Sequence, residues 1–136
     1  MYSSRQFMKR FLLPGVVLGT TLSLNAIAAP TKKGKGKLRH VVAFKFKDSA
    51  TRDEIRKLED AFRGLKLKIP QVAKLEAGEN NSPEGLNKGC THAWILTFNS
   101  EKDRDDYLVH PDHKEFGKLA RSVVADVFVV DFWARE

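Results

Sequence analysis

The sequence predicts a small α+β domain whose elements follow the order β-α-β-β-α-β. Four runs rich in β-branched and aromatic residues alternate with two segments whose apolar residues recur at helical spacing. Three of the four runs also place apolar residues on both of their faces, which indicates an antiparallel sheet that is covered from both sides. The domain begins at Leu38, because the residues before it have the composition of a leader and a tether.

Residues 1–28 have the composition of a cleavable signal peptide. Basic residues within the first ten positions are followed by an almost wholly apolar or small run from Phe11 to Ala29, which ends in the small residues Ala26-Ile27-Ala28. Pro14 interrupts the run, which makes a spanning helix of about 20 apolar residues the poorer interpretation. We expect cleavage after Ala28, export to the periplasm or the extracellular space, and no stable membrane insertion of the mature chain.

The formal net charge of +7 does not describe the folded part of the chain. Three positive charges lie in the predicted signal peptide and five lie between Thr31 and Arg39, whereas residues 40–136 carry 16 basic and 17 acidic side chains. Residues 29–37 are rich in lysine and glycine and offer almost no apolar surface, which predicts a flexible linker before the domain of residues 38–136. A nearly neutral domain gives no reason to expect nucleic-acid binding.

The first strand is predicted from Leu38 to Lys47. Its alternation places four side chains on one face: His40, Val42, Phe44 and Phe46. Thr51 stands three residues before Glu54, which is the spacing of a capping box at the start of a helix. The apolar residues of that helix follow at helical spacing: Ile55, Leu58, Phe62 and Leu65. Gly64 weakens its last turn, and Pro70 cannot continue it.

A shorter strand is predicted from Val72 to Glu79, followed by a loop over residues 80–85. The strongest strand signal is Thr91 to Phe98. Its alternation places His92, Trp94, Leu96 and Phe98 on one face and Ala93 and Ile95 on the other.

The second helical segment is predicted to break at a proline. Ser100 and Asp103 cap its first piece, which carries Tyr107, and Pro111 stands in the first turn of a second piece carrying Phe116 and Leu119. The last strand, Val127 to Trp133, is apolar on both sides. The complete order is the split βαβ arrangement of ferredoxin-like folds.

The two-faced sheet predicts a homodimer. Two helices can cover only one face of a four-stranded sheet, yet apolar residues also occupy the opposite face, including Val41, Ile95 and Val130. In so short a chain, the simplest cover for that face is the sheet of a second copy. Cys90 is the only cysteine, so the fold rests on its core without an internal disulfide. Its thiol is either partly buried or available to cross-link two chains.

The domain resembles a known family at motifs spread over residues 38–133. The matching segments are His40-Val-Val-Ala-Phe-Lys-Phe-Lys-Asp48, Ile69-Pro70, Gly78, Gly89-Cys-Thr-His92, Phe98-Asn-Ser, Tyr107-Leu-Val-His-Pro-Asp-His113 and Val130-Asp-Phe132. On these segments the chain is similar to the stress-responsive A/B barrel family, also called dimeric α-β barrel proteins. The resemblance implies a ferredoxin-like protomer whose sheet pairs with its twin into a barrel. It does not imply one activity, because members range from plant stress proteins without assigned chemistry to a polyketide cyclase.

The resemblance to the cyclase-type members implies catalytic positions. Their pocket histidine and tyrosine fall on His113 and Tyr107, and further pocket histidines fall on His40 and His92. Two departures count against the same substrate: Phe62 stands where such cyclases carry a tyrosine, and Cys90 replaces the tyrosine usual before Thr-His. The signal peptide also departs from the plant members and puts their cytosolic roles in doubt.

Three functions remain open at this point. The first is a stress-related exported homodimer that binds a small hydrophobic or aromatic molecule in the barrel pocket, through His40, His92, Phe44, Phe62 and Trp94. The second is a cyclase, lyase or isomerase without cofactor, in which His113 is the general base and Tyr107 holds a developing oxyanion; a cofactor-free oxygenase is a variant of it. The third is a structural stress protein without a ligand.

No metal or cofactor is expected. His110 and His113 are three residues apart, which could place both on one side of a helix, but Pro111 disturbs that helix and no HExxH or paired-cysteine motif is present. The same His-Pro-Asp-His stretch has a plainer interpretation, in which it caps and braces a helix break.

Overall fold

The structure is a computed structural model and describes residues 36–135 of the chain. The predicted signal peptide and most of the predicted linker lie outside the described residues. Within them, no helix is long and apolar enough to cross a membrane.

The described residues form a four-stranded antiparallel sheet and three helices. The elements are β1 (Leu38–Phe46), α1 (Arg52–Lys68), β2 (Lys74–Glu79), β3 (His92–Phe98), α2 (Glu101–Val109), α3 (Pro111–Val123) and β4 (Val124–Trp133). The strand order in the sheet is β2-β3-β1-β4, so β1 pairs with both β3 and β4. This confirms the predicted ferredoxin-like order, with the second helical segment divided into α2 and α3.

Four predicted strand limits were wrong. β3 begins at His92, one residue later than predicted. β2 begins at Lys74 because Val72 lies in a turn, where its amide donates to the Ile69 carbonyl at 3.1 Å while its side chain is buried. β4 begins three residues earlier than predicted, at Val124, whose extended backbone both caps α3 and opens the strand. β1 ends at Phe46, one residue early.

The predicted start of α1 is confirmed. The Glu54 amide donates to Thr51 Oγ1 at 3.2 Å, and the Thr51 amide donates to Glu54 Oε2 at 2.8 Å, which together form a capping box. The helix continues past Gly64 and ends at Lys68, two residues before Pro70. The last turn therefore forms despite the glycine.

The break between α2 and α3 places two functional side chains. His110 is both the C-cap of α2 and the N-cap of α3. Its Nδ1 accepts a hydrogen bond from the Asp112 amide at 3.2 Å. Pro111 occupies the first helical position, where a missing N–H costs nothing. The resulting bend lies between Tyr107 on α2 and His113 on α3.

The core lies between the helices and one face of the sheet. It is built from fourteen buried apolar residues: Leu38, Val42, Phe44, Leu58, Phe62, Leu65, Ile69, Val72, Trp94, Leu96, Phe98, Tyr107, Phe116 and Val123. The opposite face, here called the outer face, carries a second apolar set: Val41, Ala43, Ala93, Ile95, Phe128, Val130 and Phe132. In the single chain the helices leave this face uncovered, and Phe128, Val130 and Phe132 are 42–56% exposed.

Candidate functional site

A cavity of about 570 Å³ lies between the helix-facing side of the sheet and α3, and is here called the α3 cavity. Its volume falls within the range of small-molecule sites, about 300–1,000 Å³. Most of its wall is apolar: Val42 and Phe44 from β1, Phe62 from α1, Phe116, Gly117 and Ala120 from α3, and Val127 and Val129 from β4. The last two are about half exposed because they stand on the edge strand, so the cavity opens along β4.

His113 and Tyr107 share the polar part of this wall. Their ring centroids are 4.4 Å apart, and both side chains line the α3 cavity. His113 Nδ1 lies 3.1 Å from the Leu108 carbonyl oxygen. Because a carbonyl can only accept, Nδ1 carries the proton and Nε2 of the neutral ring is left as the proton acceptor.

The protonation states of this pair suit proton transfer. Burial lowers the pKa of His113, an effect that the hydrogen bond to Leu108 opposes and the neighbouring His40 and His110 reinforce. Burial also raises the pKa of Tyr107 well above its usual range. At neutral pH the histidine is therefore an unprotonated base and the tyrosine keeps its hydroxyl proton, which can stabilise a negatively charged oxygen.

Three charged or titratable side chains are linked here, and two of them, His40 and Asp131, line the same cavity. His40 Nδ1 lies 2.6 Å from Asp131 Oδ1, and the second carboxylate oxygen of Asp131 pairs with the Arg104 guanidinium. His40 and Asp131 stand opposite each other in the β1–β4 register, with both side chains facing the helices. Asp131 is therefore paired with two other residues of the described chain.

The predicted ligand-binding residues divide into two groups. His40, Phe44 and Phe62 line the α3 cavity, with the two phenylalanine rings stacked at a centroid distance of 5.9 Å. Trp94 does not line it. Its ring is 1% exposed and packs behind Phe62 and Phe44, at centroid distances of 4.7 and 4.8 Å, so it is a core residue.

His92 also lies away from the α3 cavity. Its ring packs edge-on against Phe46 at 5.0 Å, and its Nε2 is 3.6 Å from Glu59 Oε1. Together with the partly buried thiol of Cys90, it borders a separate cavity of about 320 Å³. The predicted pocket histidines are thus not brought together: His40 and His113 share one cavity, and His92 borders another.

The described residues show no group of three or more His, Cys, Asp or Glu side chains placed to hold a metal ion. In particular, His110 Nδ1 is engaged as a helix cap. The structure therefore gives His110 and His113 different tasks despite their close spacing in the sequence.

The comparison with known domains decides the family. Residues 38–134 match the family model described as "Stress responsive A/B Barrel Domain". The chain belongs to the stress-responsive A/B barrel family. This confirms the resemblance drawn from the sequence motifs. The match spans all four strands and all three helices, including every residue of the α3 cavity.

The A/B barrel relatives differ in what they are described to do. The chain is 30% identical to the stress-response A/B barrel domain-containing protein HS1 of Arabidopsis thaliana, over 74% of this chain and 93% of that protein. It is 27% identical to olivetolic acid cyclase of Cannabis sativa, over 73% of this chain and 98% of the enzyme. A crystal structure from Bacteroides fragilis, described as a dimeric protein of unknown function with a ferredoxin-like fold, is 26% identical. It covers 74% of this chain and 99% of that one, with a TM-score of 0.60.

Proposed function

We propose that this A/B barrel protein is an exported homodimer that binds a small hydrophobic, aromatic molecule in the α3 cavity. The observation that carries the proposal is the composition of the cavity wall. A mostly apolar enclosure with a few polar or charged side chains is the usual construction of a small-molecule site. The polar and charged residues of this wall are His40, Tyr107, His113, Arg121, Asp126 and Asp131.

The chemistry of the wall selects the ligand class. The rings of Phe44, Phe62 and Phe116 lie within 4.7–6.4 Å of one another and offer aromatic contact surface. The Tyr107 hydroxyl and the ring nitrogens of the two histidines offer hydrogen bonds to an oxygen-bearing group. A substituted phenol or an aromatic ketone satisfies both requirements.

The homodimer is supported by the outer face of the sheet. Seven apolar side chains form a surface that residues 36–135 leave open, and sheet-on-sheet packing with a second copy would bury it. The Bacteroides fragilis relative, described as dimeric, supports the same assembly. In this arrangement the α3 cavity lies on the helix side of each sheet, outside the barrel that the two sheets would enclose. This changes the initial expectation of a ligand inside the barrel.

Export is supported by the amino-terminal sequence alone. Cell fractionation of a producing bacterium, combined with amino-terminal sequencing, tests it. The expected result is a mature chain that starts at Ala29 and lies outside the cytoplasm. A full-length chain retained in the cytoplasm would contradict the proposal.

Filling the α3 cavity is expected to abolish most ligand affinity without loss of stability. Gly117 lines the cavity, and Gly64 occupies a helical position on α1 away from it; a Cβ atom fits at each without a close contact. Gly117→Leu and Gly64→Leu should both stabilise their helices, by up to about 1 kcal/mol. We expect only Gly117→Leu to weaken binding of 4-propylphenol, by at least about tenfold in calorimetry, since its side chain occupies ligand space.

The outcome separates binding from a purely structural role. Equal affinities of the two variants would place the bound phenol outside the α3 cavity. No heat of binding for the unmodified protein, with 4-propylphenol or with aromatic ketones of similar size, would favour the structural stress protein without a ligand.

A second candidate function is catalysis of proton transfer by the same cavity, as in a cyclase, lyase or isomerase without cofactor. The observation that favours it is the orientation of His113. Its Nδ1 contacts the Leu108 carbonyl, which leaves Nε2 as a base, and its ring centroid lies 4.4 Å from that of Tyr107. The 27% identity to olivetolic acid cyclase adds support. Phe62 places an apolar ring in the cavity where a tyrosine would offer a hydroxyl group, so we propose a different substrate from that of the cyclase-type members.

A further inference from the structure

Three elements contribute one continuous chain of polar contacts beside the α3 cavity. His40 comes from β1, Asp131 from β4 and Arg104 from α2. The His40 side chain is 7% exposed, whereas Asp131 and Arg104 are 24% and 22% exposed. The histidine thus lies at the buried end of this series of contacts, and Asp131 and Arg104 lie closer to the surface.

The contact with Asp131 fixes which ring nitrogen of His40 carries the proton. A carboxylate accepts hydrogen bonds, so the nitrogen 2.6 Å from it, Nδ1, must donate. The other nitrogen, Nε2, then keeps its lone pair in the neutral ring. No hydrogen-bond partner for Nε2 is found among residues 36–135, and the side chain lines the cavity.

Arg104 holds the carboxylate in place. It pairs with the Asp131 oxygen that His40 does not use, and its Nε also donates to Asp105 Oδ1 at 2.6 Å. Both oxygens of Asp131 are therefore engaged, which restricts rotation of the carboxylate about its Cβ–Cγ bond. Arg104 lies three residues before Tyr107 on α2, so the same helix anchors both the tyrosine and this ion pair.

We infer that Asp131 and Arg104 are positioning residues that hold His40 Nε2 as an acceptor for a hydroxyl group of the ligand. The site then selects aromatic molecules that carry a phenol or enol O–H, in addition to the oxygen addressed by Tyr107 and His113. This selection of the ligand hydroxyl rests on the proposed binding function. The effect of Asp131 on the His40 ring does not, because it exists without a ligand.

The first test measures the His40 tautomer by long-range ¹H–¹⁵N correlation at neutral pH in the ligand-free protein. We expect the Nδ1–H form in the unmodified protein and the Nε2–H form in Asp131→Val, since the isolated imidazole ring prefers that tautomer. Arg104→Met should give a mixture, and Arg104→Lys should restore the Nδ1–H form in part. His113, held by Leu108, serves as an internal reference, and His40→Gln identifies the signals.

The second test compares 4-propylphenol with propylbenzene, which lacks only the hydroxyl group. Asp131→Val is expected to weaken the binding of 4-propylphenol about tenfold and to leave the affinity for propylbenzene unchanged. Arg104→Met should have a smaller effect in the same direction. The matched control is Arg56→Met, which removes an exposed arginine–aspartate pair on α1 and should change neither affinity.

Two outcomes would overturn the inference. One is an Nδ1–H tautomer of His40 that persists in Asp131→Val. The other is an equal loss of affinity for both ligands in the Asp131 and Arg104 variants, which would indicate that these residues have a merely structural role. If neither molecule binds the unmodified protein, the proposed binding function fails, while the tautomer measurement still decides whether Asp131 and Arg104 position His40.

Discussion

Replacing His113 by glutamine is expected to abolish any proton abstraction catalysed in the α3 cavity. Glutamine can still donate a hydrogen bond to the Leu108 carbonyl, which His113 Nδ1 contacts at 3.1 Å, but it has no basic nitrogen. General bases contribute rate factors of about 10²–10⁴, so the loss should be at least about a hundredfold. Deuterium exchange at the central carbon of 1-phenyl-1,3-butanedione in D₂O, followed by NMR, measures it directly.

The pH dependence of that exchange has a definite sign. Burial lowers the pKa of His113, so the neutral, basic form persists to lower pH than in an exposed histidine, whose pKa is about 6.5. The rate attributable to the protein should be constant above neutrality and fall only on the acid side of the ordinary histidine value. Tyr107→Phe should lower the plateau by about tenfold or more, because the oxyanion loses its donor.

The control for both changes is Lys118→Gln on the exposed side of α3, where Lys118 Nζ donates to Glu115 Oε1 at 2.6 Å. This variant should exchange the substrate at the unmodified rate. Exchange that is unaffected by His113→Gln would show that His113 is not the base. No exchange above the buffer rate would exclude catalysis of this proton transfer and leave ligand binding as the function.

Replacing Val130 by aspartate is expected to convert the proposed homodimer into a monomer. Val130 lies on the outer face, opposite Val41 in the β1–β4 register, and is 42% exposed in the protomer. In a two-fold dimer the change buries two unpaired carboxylates, so we expect the dimer dissociation constant to rise by about a thousandfold or more. Light scattering across a dilution series of residues 29–136, under reducing conditions because of Cys90, measures the mass.

The matched control is Leu67→Asp, which makes the same kind of change at an apolar residue of α1 that is 90% exposed. It should leave the dimer intact. If the unmodified domain is a monomer at all concentrations tested, or if Val130→Asp stays dimeric, the outer face is not the interface.

Local rules explain why most of the fold could be predicted from the sequence. The Thr51–Glu54 capping box and the His110–Pro111 break are set by neighbouring residues, and both appear in the structure as expected. The limits of β2 and β4 were harder to predict from the sequence. Val72 and Val124 are apolar residues beside strands, and only their tertiary contacts decide that the first lies in a turn and the second in a strand.

The candidate site was harder to predict because alternation assigns a residue to a face, but not to a place on that face. His40, His92 and Trp94 all point toward the helices. However, β3 lies away from the α3 cavity, while β1 stands next to the exposed edge strand β4. Trp94 is therefore a core residue, whereas His40 lines the α3 cavity. The contact between Asp131 and His40 depends on the pairing of β1 with β4, which cannot be predicted from the two separate sequence segments.

Methyl NMR during titration with 4-propylphenol determines whether the ligand lies on the helix side of the sheet. Val42 and Val129 line the α3 cavity, whereas Val41 and Val130 are their neighbours on the outer face. We predict intermolecular NOEs and large shifts for the methyl groups of Val42 and Val129, with Val41 and Val130 unchanged. NOEs confined to Val41 and Val130 would place the ligand between the two sheets and exclude the α3 cavity as its binding site.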